Sequence, residues 1–178
     1  MARRERHKVK LLGAVLILLT TTFVGFEYAR RLSERPRQIR QLMSAMQSLE
    51  AEMLYGLTPL SEACSNIAKQ IPNPISSFYE AFANKLLAKE DSAYLAWEQS
   101  LDEVWPNTAL LETEKEIMKQ FGATLGQQDH EQQKKQIQLV LTHLKREELE
   151  ARDKQAKYEK MIKSLGFLSG VLVVIVLI

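Results

Sequence analysis

The sequence predicts an all-α protein: about six amphipathic helices in a bundle, flanked by an N-terminal and a C-terminal transmembrane helix. Three observations predict it. Leu11–Phe26 and Leu165–Ile178 are apolar runs without a single charge, one near each end. Between them, apolar residues recur every three or four positions, the spacing that gathers one face of a helix. Only seven glycines and five prolines punctuate the 178 residues, too few for a loop-rich or all-β protein.

The chain opens on a basic extension, residues 1–8, MARRERHK. The first span is assigned to residues 9–28. Leu11–Phe26 alone reaches about 24 Å as a helix, against a hydrocarbon core of about 30 Å. Lys10 and Glu27 must therefore snorkel, with Tyr28 at the interface. A basic start followed by an apolar run also fits a secretory signal peptide. No A-x-A-like site follows, and the run continues into FEYARRLSERPR, which favours an uncleaved anchor. The second span is assigned to residues 161–178, with Met161 and Ile162 joining the apolar run and Lys163 snorkelling. Its β-branched stretch VLVVIVLI suits lipid, where each backbone group bonds within the helix. A fourteen-residue run also fits a buried core helix, but one with no polar face fits a core poorly.

Charge sets the orientation. Arg30, Arg31, Arg35, Arg37 and Arg40 follow the first span, and Lys154, Lys157, Lys160 and Lys163 precede the second. Cytoplasmic flanks carry the excess of Lys and Arg, so the domain between the spans is expected in the cytoplasm. Arg3, Arg4, Arg6, Lys8 and Lys10 oppose this at the first span, five bases against five, which leaves the second span to decide.

The domain between, residues 29–160, reads as helices throughout. The first stripe is Ile39, Leu42, Met43, Met46, Leu49, Met53 and Leu54, preceded by Pro36 and ended by Gly56. Thr58-Pro59 signals a second start, with Leu60, Ala63, Cys64, Ile67, Ala68 and Ile71 as its stripe. Asn73-Pro74 signals a third, carrying Ile75, Phe78, Tyr79, Phe82, Leu86 and Leu87. Asp91 or Ser92 caps a fourth, with Tyr94, Trp97, Leu101, Val104 and Trp105, and Pro106 breaks it. A fifth carries Leu110, Leu111, Ile117, Met118 and Phe121 and is punctuated by Gly122 and Gly126. Asp129 caps a long last helix with the stripe Ile137, Val140, Leu141 and Leu144. Residues 145–160 are polar nearly all round and read as a solvated stalk, laced by acid-before-base pairs such as Glu148–Arg152. The first and last bundle helices must lie side by side, since both run toward the same bilayer.

Chemistry is sparse. GxxxxGK[ST] and GxGxxG are both absent, which removes the common nucleotide-binding loops. His130 and His143 do not have zinc-ligand spacing, and no HExxH occurs. The single cysteine, Cys64, excludes an internal disulfide and reads as a small core residue. A net charge of +2 gives no field for nucleic acid. The reading is therefore a non-enzymatic protein with no cofactor, metal, nucleic acid or small-molecule substrate. Tyr94, Trp97, Trp105 and Phe121 read as core. Two stretches exceed what a plain bundle requires. In SERPRQIRQ, Arg35, Arg37 and Arg40 suit either lipid phosphates or a partner's carboxylates. In EAEMLYGLTPLSEA, Tyr55, Gly56, Leu57, Pro59 and Leu60 form a helix hairpin that can serve as a docking tip.

Several blocks resemble the stage III sporulation protein AB family of endospore-forming bacteria. They are KLLGAVLILL, GFEYARRLSERPRQIRQL, LEAEMLYGLTPLSEA, AWEQSL, MKQFGATLG, LTHL and EKMIKSLGFLSG, spread over nearly the whole chain. YGLTPLSEA is also similar, over a shorter stretch, to a helix-hairpin signature of the type II secretion inner-membrane platform family. The resemblance implies a component of the mother-cell complex around the engulfed forespore, needed for forespore development. It implies a place in the mother-cell membrane, with the helical domain in the cytoplasm against the complex's ATPase and beside its other subunits. Family members begin about where Val9-Lys10-Leu11-Leu12-Gly13 stands here, so MARRERHK departs from the pattern. A GTG start read as Val9 would remove residues 1–8 and settle the charge tie. The rival reading is a membrane-surface sensor or regulator whose bundle binds lipid or a signalling protein.

Overall fold

Six helices, one 3-10 turn and no strand make up the described residues of the computed structural model, which are 33–53, 58–88, 92–125 and 130–177. Side chains at 130, 159–160 and 162–177 are outside that description. Helix α1 covers residues 33–53, α2 Leu60–Gln70, α3 Ile75–Ala88, α4 Ala93–Val104, α5 Glu112–Gly122 and α6 His130–Leu177. The chain divides into two compact units, Glu34–Arg152 and the pair of segments Met1–Ser33 and Asp153–Ile178. The expected span at 9–28 lies outside the described residues, as do the side chains of the second span beyond Met161. Among the described residues, no helix is long and apolar enough to cross a membrane.

Within Glu34–Arg152, helices α2 to α5 pack in succession, each against the next. One continuous core holds the inward stripes: Ile39, Leu42, Met46 and Leu49 from α1, Cys64 and Ile67 from α2, and Ile137, Val140 and Leu144 from α6. The aromatic residues of α3, α4 and α5 close on Trp97. Phe78 and Phe82 meet its ring edge-on at 4.7 and 4.9 Å, and Phe121 at 5.4 Å. Its indole Nε1 donates to the Met118 carbonyl at 2.8 Å, so the buried N–H is satisfied. Trp105 and Phe121 are buried with it, while Tyr94 is half-buried.

The helix ends refine the sequence reading. Helix α1 already runs through Pro36, upstream of the stripe that begins at Ile39. Pro59 is itself the residue preceding α2, and no side-chain cap bonds there. Asn73 meets the first turn of α3 through side chains alone, its Oδ1 accepting from the hydroxyls of Ser76 and Ser77. Ser92 caps α4, its Oγ accepting the Leu95 N–H at 3.3 Å. Leu110 and Leu111 lie before α5 rather than in it. The α5 start is set by Glu114, whose Oε2 accepts the Leu111 N–H at 2.7 Å. This is the reach-back half of a capping box. The proposed cap Asp129 and the turn residues Gly56 and Gly126 lie outside the described residues. Gly122 ends α5 as expected, but its role is packing: a Cβ there would lie 2.3 Å from Trp97 Cδ1.

Candidate functional site

The charged residues of the bundle converge where α1, α5 and α6 meet. Arg35 stands four residues before Ile39, on the buried side of α1. Its Nε donates to Glu114 Oε1 at 3.0 Å, and its Nη2 donates to the same oxygen and to Glu147 Oε2 at 3.2 Å. Arg35 is 9% exposed and Glu114 not at all. Both Glu114 oxygens are bonded, one to Arg35 and one to the Leu111 N–H. That pairing on every side is what makes a buried carboxylate tolerable. One acid therefore starts α5 and ties it to α1, while Arg35 extends the tie to α6.

A second knot lies one residue further along α6. Glu148 is 1% exposed. Its Oε1 accepts from Arg40 Nη1 at 2.9 Å and its Oε2 from Lys145 Nζ at 3.0 Å, with Arg152 Nη1 at 3.9 Å. Burial pushes the Glu148 carboxyl up, but the hydrogen bonds from Lys145 and Arg40 and the charges of Lys145 and Arg152 outweigh it and hold it below the usual range. A depressed carboxyl contributes stability that is present above the unfolded-state pKa and lost as pH falls through the folded value. Acid unfolding is therefore expected to steepen below the ordinary value of 4.5. Urea titrations at pH 7 and pH 4 check this: Glu148→Gln should lower stability at pH 7 and shrink the acid-induced loss.

The sequence-selected residues separate by place. Arg35, expected as a surface contact for lipid or partner, is corrected to a buried tie, because Glu114 and Glu147 occupy its guanidinium. Arg37 is exposed and pairs locally among the described residues, its Nη1 donating to Glu34 at 3.2 Å. Arg40 remains on the surface, resting on Glu148. Pro59 is exposed and Leu60 half-buried at the start of α2, while Tyr55, Gly56 and Leu57 lie outside the described residues. The stalk expectation is also corrected at its start, since Glu147, Glu148 and Ala151 are buried. The missed signal was in the stripes themselves. Ile137, Val140 and Leu144 continue inward through Glu147 and Ala151, and Ile117 is preceded by Glu114 three residues earlier. An acid standing at a stripe position implies a buried base, and Arg35 stands at such a position on α1.

Two further titratable groups, Cys64 and Tyr79, are buried in the core. Cys64 is buried, and burial pushes its thiol up to about 12. Thiols react as thiolates. Cys64 is accordingly expected to resist maleimide at pH 7.4 in the native protein and to react fully in 6 M guanidinium, as read by intact mass. Tyr79 is fully buried beside it, its hydroxyl donating to Met46 Sδ at 3.5 Å. Among the described residues, no cluster of His, Cys, Asp and Glu could hold a metal ion.

These features define an all-α helical bundle whose buried charges hold helices together. Comparison with known proteins gives the family. The family model for stage III sporulation protein AB matches residues 10–178. Stage III sporulation protein AB of Bacillus subtilis (strain 168) is 54% identical over 169 residues, covering 95% of this chain and 99% of that protein. A solved structure of Stage III sporulation protein AB (SpoIIIAB) is similar with a TM-score of 0.67 at 52% identity, covering 70% of this chain and 98% of that one. The chain belongs to the stage III sporulation protein AB family.

Proposed function

We propose that this protein is a non-enzymatic, membrane-anchored scaffold of the sporulation complex between mother cell and forespore. Its anchors are residues 9–28 and 161–178, its bundle faces the mother-cell cytoplasm, and the bundle docks the complex's cytoplasmic ATPase and channel subunits. Family membership over residues 10–178 carries this reading. It is supported by the apolar ends and by the bases on the bundle side of each. Docking would use the hairpin of Tyr55, Gly56, Leu57, Pro59 and Leu60 together with the surface arginines Arg37 and Arg40.

The test uses the full chain as the sole copy in a sporulating host. Exposed Lys69→Cys or Asn84→Cys gives a single reactive thiol, because Cys64 is buried. Membrane-impermeant maleimide should label either site only after the mother-cell membrane is opened. In vivo crosslinking should recover the ATPase and other complex subunits. Labelling of intact cells would remove the cytoplasmic docking model. Recovery of a signalling protein without complex members would favour the membrane-surface sensor instead.

A further inference from the structure

Helix α6 presents Lys145, Leu149 and Arg152 at steps of four and three, so they share one face. Leu149 is 50% exposed, an apolar side chain left in water between two cations. Across the seam, Arg40 of α1 meets the same face by bonding Glu148. Three bases thus address one carboxylate, with side-chain exposures of 54% for Arg40, 53% for Lys145 and 60% for Arg152. Glu148 supplies a single negative charge to the three of them. Each arginine has five N–H donors in a fixed fork, and Glu148 uses one from Arg40 and none at bonding distance from Arg152. The remaining donors of Arg40 are held in place by a buried anchor, which lowers the ordering cost of binding a carboxylate. A small anion would leave Leu149 uncovered.

We propose that the α1–α6 seam is a docking site for an acidic amphipathic helix of a partner protein. Its carboxylates would meet Arg40, Lys145 and Arg152, and one of its apolar side chains would cover Leu149. The proposal rests on the scaffold reading only in requiring a protein partner, and it does not depend on which subunit supplies the helix.

The test places the full chain in phosphatidylcholine nanodiscs. A fluorescent synthetic helix of glutamate and leucine is titrated in and followed by anisotropy. Saturable binding that weakens with added salt is expected. Lys145→Gln/Arg152→Gln should weaken it at least tenfold and Leu149→Ser several-fold. Lys69→Gln/Lys134→Gln removes the same charge from exposed positions on α2 and α6 and should leave binding unchanged. Circular dichroism reports folding, and if the seam double variant unfolds, Leu149→Ser and Arg152→Gln alone decide. Equal binding by seam and control variants overturns the proposal. So does displacement of the peptide when phosphatidylglycerol replaces phosphatidylcholine, which makes lipid the occupant. Displacement by inorganic phosphate at constant ionic strength would reduce the seam to a small-anion site and also overturn it. The assay contains no sporulation protein, so its failure leaves the crosslinking result standing, and the converse holds.

Discussion

Replacing Arg35 with alanine is expected to destabilise the bundle by about 3–5 kcal/mol, the range for breaking a buried ion pair by removing one partner. The loss does not measure the strength of one contact. It arises because Glu114, with no exposure, would keep a charge and only the Leu111 N–H to answer it. Glu147 would lose its inner partner at the same time, though Arg146 still reaches its other oxygen at 3.3 Å. Glu114→Gln should cost less, since it leaves Arg35 paired with Glu147 and creates no orphaned charge. Urea unfolding of the full chain in detergent, followed by the fluorescence of buried Trp97 and Trp105, checks both. A loss below about 1 kcal/mol for Arg35→Ala would mean that the junction is solvated like a surface pair.

Gly122→Ala is expected to destabilise by about 1–3 kcal/mol through overpacking, a large effect for one methyl group. The new Cβ would lie 2.3 Å from Trp97 Cδ1 and 2.9 Å from Cγ and Nε1. Trp97 has nowhere to retreat. Phe78, Phe82 and Phe121 surround it, and its Nε1 is bonded to the Met118 carbonyl. A smaller ring relieves the clash, so Gly122→Ala/Trp97→Phe should be more stable than the sum of the two single losses. Thermal melts of the four proteins check this. Additive losses would show that α5 slides away from the ring and that the two residues are not coupled.

The helices were legible in the sequence because apolar periodicity is set by the same burial that builds the core. Ser92 was readable for a local reason, a cap four residues before an inward residue. The ion-pair junction was not legible in this way. SERPRQIRQ looks like a surface motif when arginine is assigned by composition, and EELEARDK looks like a solvated face when acids are matched to bases four residues on. Both assignments use neighbours in sequence. Arg35 is paired with residues 79 and 112 positions away, and no local rule reports that distance. Gly122 ends α5 as the sequence predicts, but its packing role was not legible for a related reason. A glycine near a helix end looks like a stop signal, whereas its demand comes from a ring on another helix. Of the candidate surface, Arg40 could be chosen from the sequence, but its company with Lys145, Leu149 and Arg152 required the α1–α6 pairing.

The 112-residue separation between Arg35 and Glu147 also has a consequence in time. Chains emerge N-terminus first at about 5–20 residues per second. The ribosome therefore makes Glu147 roughly 5–20 s after Arg35. Over the first 79 residues of that interval α1 has its apolar stripe and its guanidinium ready with neither acid yet made, and to its end Glu147 and the covering stretch of α6 are still missing. Helices α2 to α5 can assemble around Trp97 as they appear, because each contacts the next in order. Helix α1 must wait for α6, and the bundle closes only when α6 arrives.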